Sequence, residues 1–127
     1  MDVTPLVKTG SKIIQSYAGG QFRISGQLYT GPVIVTADQV VAWNAPQEFS
    51  ELTLEHFQPL VVSCSEALLD IVLLGTGKNF AILPPALRAS LKAHGLSVDV
   101  MDTGAACRTY NVLLAEGRRV LAALLPV

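Results

Sequence analysis

Two short polar turns hold the residues best suited to chemistry in a chain that is otherwise strongly apolar. The first is Gly75-Thr76-Gly77-Lys78. The second is Asp102-Thr103-Gly104, which opens a run containing Cys107, Arg108, Tyr110 and Asn111. A helix beginning near Gly104 leaves its first backbone N–H groups without intrahelical partners, and such groups attract carboxylates and phosphates. Lys78 and Arg108 add positive charge. If parallel strands precede both turns, the turns fall at the same edge of the sheet, beyond the carboxyl ends of the strands, where open α/β sheets bind ligands. The candidate ligand- or partner-binding set is therefore Gly75, Thr76, Gly77, Lys78, Thr103, Gly104, Arg108 and Asn111.

Each of these residues also has a plainer role. The glycines suit tight turns, and Asp102 or Thr103 suits a helix N-cap. Tyr110 falls on an apolar helix face, where a buried ring with a bonded hydroxyl is expected. Arg108 and Asn111 lie on the other face, free to read a partner or to pack against the first half of the chain. The run GTGK lacks the GxxxxGK[ST] spacing of a phosphate-binding loop, and GTG lacks the third glycine of a dinucleotide fingerprint. Cys107 sits one turn into a helix, a position that lowers a thiol pKa. No histidine can be placed beside it, since His56 and His94 belong to other elements, and a buried thiol is the expectation. Two cysteines and two histidines show no ligand spacing, so no metal site is assigned. Asp70, Asp99 and Asp102 would need pairing to do acid–base work. No catalytic residue and no cofactor is assigned, and the balance falls toward recognition rather than catalysis.

Composition narrows the partners. The 127 residues suit one domain, with residues 1–12 as a loosely attached lead-in. Apolar residues make up 50% and charged residues only 15%, against a usual ~25% charged. That excess points either to a tight core or to apolar surface left for a partner or for self-association. Nine basic and ten acidic residues leave a net charge of −1, which gives no field to draw in nucleic acid. No apolar run approaches the ~18–20 residues of a membrane span. The N-terminus carries neither a secretory nor an arginine-rich transit signal, and two cysteines without a signal read as reduced thiols. The expected location is the cytoplasm.

The elements that must position the turns follow from periodicity. Residues 13–17, 22–24, 28–30, 33–36 and 40–43 read as short strands of an antiparallel β-meander, with a hairpin turn at Ser25-Gly26-Gln27. Residues 55–57 suit one helical turn stopped by Pro59, with a short strand at 60–62. Ile71 to Leu74 is a continuous apolar run, as in a strand covered on both faces. Residues 80–83 read as another short strand. Pro85 opens a helix to about residue 94, closed by Gly95. Leu96, Val98 and Val100 alternate as a strand with one wetter face, near an edge. The next helix packs Ala106, Cys107, Tyr110, Leu113 and Leu114 on one face and ends at Gly117. Arg118 to Leu125 forms the last strand. Helices between strands require crossovers and parallel pairing. The class is α/β with a mixed sheet: an N-terminal antiparallel meander, as a second layer or an extension, then strand–helix–strand–helix–strand.

Several segments in register resemble one family. They are Phe22-Arg23-Ile24 with Gly26 and Tyr29, Gly31-Pro32-Val33, Trp43, Gly75-Thr76-Gly77, Leu83-Pro84-Pro85, and Met101 through Asn111 followed by Glu116-Gly117-Arg118. The resemblance covers residues 13–125. It is to a family of small single-domain proteins of unknown function in bacteria, archaea and eukaryotes. Its relatives include a mitochondrial assembly factor for respiratory complex I and a mammalian adipogenesis-associated protein. It implies a compact three-layered α/β domain with a mixed sheet. No catalytic residue carries over, because no activity is established across the family, and the mitochondrial member acts by binding partners. Lacking a transit peptide, the chain looks like a bacterial relative. The leading expectation is a protein-binding, assembly-type module. The alternative is a small-molecule or anion site, for binding alone or for enzymatic turnover, at the 75–78/102–108 sheet edge.

Overall fold

The computed structural model describes residues 11–66 and 68–127. A mixed five-stranded sheet carries the architecture. Its order is β5 (Val40–Ala42), β4 (Val33–Val35), β8 (Val120–Leu124), β6 (Ile71–Gly75), β7 (Asp99–Met101). β8 pairs parallel with β6 and antiparallel with β4, and β6 pairs parallel with β7. β6 and β8 are central, and their continuous apolar sequences follow from that position. Along β8, Val120, Ala122 and Leu124 enter one buried cluster, while Leu121 and Ala123 enter the other. Successive side chains of a strand point to opposite faces, so a strand covered twice has no polar positions.

The two faces define three layers. On one lie α1 (Gln58–Glu66) and α2 (Pro85–Ala93), around Trp43, Phe57, Leu60, Leu83, Leu91 and Leu96. On the other lie α3 (Thr103–Ala115) and a separate three-stranded antiparallel sheet of β1 (Ile14–Ala18), β2 (Gln21–Ile24) and β3 (Gln27–Thr30). α2 links β6 to β7. α3 then links β7 back to β8, on the far side of β6. The direction of travel across the sheet reverses between the two crossovers. The covering face reverses with it, as right-handed crossovers require.

The expected meander thus divides. The hairpin at 21–30 forms with a two-residue turn, Ser25-Gly26, in which both residues have positive φ, the geometry that matches strand twist. The chain changes sheets at Gly31-Pro32. β1 to β3 make the second layer, and β4 and β5 extend the main sheet, so both alternatives hold in part.

Two local expectations are corrected. Residues 60–62 are not a strand: Leu54–Phe57 forms a 3₁₀ turn that runs directly into α1. Pro59 is the second residue of that helix, where its missing N–H has no intrahelical partner to lose. Residues 80–83 form no strand, because only Leu83 of that segment reaches the core, while Phe80 and Ile82 are exposed. Of the expected lead-in, residues 1–10 lie outside the described residues. Lys12 is tied down, its N–H donating to the Ala37 carbonyl at 3.0 Å.

Candidate functional site

The turns after β6 and β7 do meet, because those strands are parallel neighbours. The Thr76 N–H donates to the Met101 carbonyl, and the Thr103 N–H to the Gly77 carbonyl, each at 2.9 Å. Thr103 is fully buried, and its hydroxyl completes the junction. Oγ1 accepts the Gly77 N–H at 2.8 Å and donates to the Leu125 carbonyl at 2.7 Å. One hydroxyl therefore joins the ends of β6, α3 and β8. Gly75 makes room for it: a Cβ there would stand 2.8 Å from Thr103 Oγ1 and 3.0 Å from the Thr103 Cα.

The start of α3 is capped from within. Asp102 is the N-cap, its Oδ1 accepting the Ala105 N–H at 2.9 Å. Tyr17 of β1 lies over Gly104, where an added Cβ would meet the tyrosine oxygen at 2.8 Å. The same oxygen accepts a hydrogen bond from Arg108 Nη1 at 2.8 Å. Two more residues of α3 reach the first strand. The Asn111 carboxamide accepts the Ile14 N–H at 3.0 Å and donates to the Ile14 carbonyl at 2.7 Å. The Tyr110 hydroxyl donates to the Lys12 carbonyl at 2.8 Å. Arg108, Tyr110 and Asn111 thus hold the three-stranded sheet against α3. The helix ends in a Schellman motif, with Gly117 N–H to the Leu114 carbonyl and Arg118 N–H to the Leu113 carbonyl, both 3.0 Å.

Buried chemistry on α3 is quiet. Burial pushes the Cys107 thiol up to about 12, against a smaller opposing pull from Arg108. A thiol held that far above neutrality is protonated and a poor nucleophile. Burial likewise raises the Tyr110 phenol.

Two grooves open near these elements. One, of about 620 Å³, lies beyond the carboxyl ends of β6 and β8. Thr76, Gly77 and Lys78 line it, with Gly20, Gln47, Glu48 and the C-terminal Pro126 and Val127. Thr103, Gly104, Arg108 and Asn111 do not line it, so the eight candidate residues divide between a groove and an internal brace. Within the groove the Thr76 hydroxyl is already committed, donating to the Asn79 carbonyl at 2.7 Å. The second groove, about 540 Å³, runs along the outer edge of β7 and is lined by Phe80, Ile82, Arg88, Val100, Met101 and Leu113 among others. Sequence reasoning missed it. Its signal was present in Phe80 and Ile82, large apolar residues that are 59% and 76% exposed.

The architecture defines a class: a mixed α/β sheet whose crossover helices lie on opposite faces, with a small antiparallel sheet braced against one of them. A solution NMR structure from Bordetella pertussis described as a Mth938-like domain has this fold, with a TM-score of 0.76 and 28% identity over 99% of this chain and 92% of that one. The chain belongs to the family of proteins of unknown function DUF498/DUF598, whose model matches residues 14–125. An uncharacterized protein of Rhodobacter capsulatus is 36% identical over 93% of this chain and 87% of its own length. The NADH dehydrogenase [ubiquinone] 1 alpha subcomplex assembly factor 3 of Mus musculus is 36% identical over 89% of this chain, which spans 60% of that protein. A Francisella tularensis relative, 29% identical over 84% of each chain, is called a 13 kDa major membrane protein. Among the described residues of this chain, no helix is long and apolar enough to cross a membrane.

Proposed function

We propose that this chain is a protein-docking module of the assembly-factor kind, acting from the cytoplasm as a single domain. The observation that carries the reading is the apolar groove at the β7 edge, flanked by the exposed Phe80 and Ile82. Large apolar side chains gathered at the rim of a groove mark a surface that a partner covers. Two further facts support it. The polar residues of the 102–111 run are spent on internal bonds to Gly77, Leu125, Lys12, Ile14 and Tyr17. The mouse relative is named as an assembly factor, and this chain spans most of its own length in that match. The test is affinity purification from the native cell at native abundance, followed by reconstitution from purified components. A direct complex of defined stoichiometry is expected. Reproducible recovery of the chain alone would overturn the reading. Sedimentation at several concentrations separates a partner complex from self-association.

A second reading keeps the groove beside Thr76-Gly77-Lys78 as a site for a small anion. It rests on one observation, the exposed Lys78 at the rim of a 620 Å³ cleft beyond the carboxyl ends of β6 and β8. Titration with phosphates, carboxylates and nucleotides, followed by amide chemical shifts, decides it. Shifts confined to 76–79 are expected if it holds, and unmoved amides there exclude those ligand classes.

A further inference from the structure

The β7 edge has a feature that selects its occupant. Met101 turns its carbonyl toward β6, where the Thr76 N–H meets it. Alternate residues of a strand point their main-chain groups the same way. Asp99 therefore also faces β6, and Val100 between them turns its N–H and C=O outward. β7 is the last strand of the sheet. Among the described residues no backbone or side-chain group bonds Val100 on that side. An unpaired main-chain donor and acceptor on a sheet edge form a template for another strand.

The groove follows this edge and draws its walls from both faces of the sheet. Thr109 and Leu113 of α3 stand on one side, and Phe80, Ile82 and Arg88 on the other. A slot walled on both faces with main-chain groups at its floor fits a single extended chain. A helix has no free main-chain groups to offer Val100, and a folded domain is too broad to enter between two walls. The chemistry of the segment follows from the lining. Its side chains alternate toward the α3 wall and toward the wall built by Phe80 and Ile82 ahead of α2, both largely apolar, so residues on both of its faces are apolar. The one ion pair among the described residues joins Arg119 and Asp70, which leaves Arg88 and Asp99 to receive an acid and a base of the incoming strand.

We propose that the open edge of β7 is a strand-addition site that takes an extended, mainly apolar segment of a partner protein, hydrogen-bonded to the main chain of Val100. This rests on the protein-docking reading and deepens it by naming the surface and the mode of binding, a main-chain pairing with side-chain pockets for selectivity.

Short random linear peptides displayed on phage serve as the probe, selected on the immobilised full chain and then measured in solution. The selected peptides are expected to be extended and apolar on both faces. Binding should slow hydrogen exchange at the Val100 amide and shift Asp99 to Met101. Val100→Pro removes the outward N–H without touching the β6–β7 ladder, and proline is tolerated on an edge strand. Ile82→Lys puts a charge on an exposed wall and leaves the core intact. Each should weaken binding roughly tenfold, the scale of one lost main-chain hydrogen bond or one lost apolar anchor, with an unchanged circular dichroism spectrum. Should Val100→Pro unfold, Ile82→Lys and the Val100 exchange rate still decide. Selection of no binders, helical binders, or binders that shift residues away from β7 overturns the proposal. The native partner separates the two levels. If it binds wild type and both variants equally, the docking reading stands and the β7 site falls. If no native partner forms a direct complex, the docking reading itself falls.

Discussion

Asn111 and Ile14 lie 97 positions apart, yet one side chain satisfies both main-chain groups of the other residue, at 3.0 and 2.7 Å. The carboxamide acts as a short piece of extra strand on the outer edge of β1. A primary amide carries its acceptor and its donor on two separate atoms, which lets it match an N–H and a C=O side by side. Asn111→Ala is expected to destabilise the fold by about 1–3 kcal/mol, the cost of leaving partly buried polar groups unpaired. Asn111→Asp should be no better, since a carboxylate accepts the N–H but faces the Ile14 carbonyl without a proton. Denaturant melts give the stability change. Faster exchange at the Ile14 amide, with β6 and β8 still protected, would place the loss in the small sheet.

Thr103 and Gly75 form the second brace. Thr103→Val keeps the shape of the side chain and removes the hydroxyl, stranding the Gly77 N–H and the Leu125 carbonyl in a buried site. A loss of about 1–3 kcal/mol per stranded group is expected, while Thr103→Ser keeps both bonds and loses only a methyl. Gly75→Ala should also destabilise, because its Cβ would fall 2.8 Å from the same hydroxyl and 3.0 Å from backbone. Thermal melts of the three variants check the order: Ser mildest, Val and Ala well below it. If Thr103→Val melts with wild type, the hydroxyl is not a brace.

Cys107 predicts the alkaline limb of stability. Its folded pKa, pushed up to about 12 by burial, lies above the ~8.5 of an unfolded thiol. Above the unfolded value the unfolded chain loses a proton that the native chain keeps. Stability is therefore whole below pH ~8.5 and falls as pH rises toward the folded value, by about 1.4 kcal/mol per pH unit for this group. The raised Tyr110 phenol adds a fall in the same direction from about pH 10. Cys107→Ala should flatten the slope between those two onsets, whatever it does to stability at neutral pH. Guanidinium melts across that range test it, and an unchanged slope would exclude the thiol as its source. A thiol reagent should reach the half-buried Cys64 before the buried Cys107.

Much of this architecture was legible because its strongest signals are burial signals. Ile71–Gly75 and Val120–Leu124 are apolar without interruption since both of their faces are covered, and the two crossover helices carry plain caps and stops. α1 was hidden because Gln58-Pro59-Leu60-Val61-Val62 combines a proline with β-branched residues and buries only Leu60. Its context, the 3₁₀ turn that feeds it, depends on Trp43, just past the end of β5, donating to the His56 carbonyl at 2.7 Å. The 80–83 segment alternates like a strand, but its alternation points Phe80 and Ile82 outward. At the candidate site the polar residues were visible and their partners were not. Arg108 and Asn111 meet Tyr17 and Ile14, 91 and 97 positions away, and nothing local announces such a pairing.

The opposite end of the central strands carries the remaining prediction. The Asp70 carboxylate takes three bonds from Arg119, one from its main-chain N–H at 2.9 Å and two from its guanidinium at 3.3 and 3.0 Å. The Asp70 N–H returns one to the Arg119 carbonyl at 2.7 Å. Together they latch the amino ends of β6 and β8, as Thr103 ties their carboxyl ends. The guanidinium hydrogen bond, then the backbone N–H, hold the Asp70 carboxyl below its ordinary value. A depressed carboxyl stabilises the fold above the unfolded value of ~3.9, and that contribution is lost as pH falls through the lowered folded value. Asp70→Asn keeps an acceptor for the backbone N–H but removes the charge. It should flatten the acid limb of the stability curve below pH ~4 and remove the salt sensitivity of that limb, since the pair is exposed and screened. Thermal melts over the acid range, with a carbon-detected titration of Asp70, give both readouts. A carboxyl that titrates at the ordinary value would show that the latch is held by the backbone pairing alone.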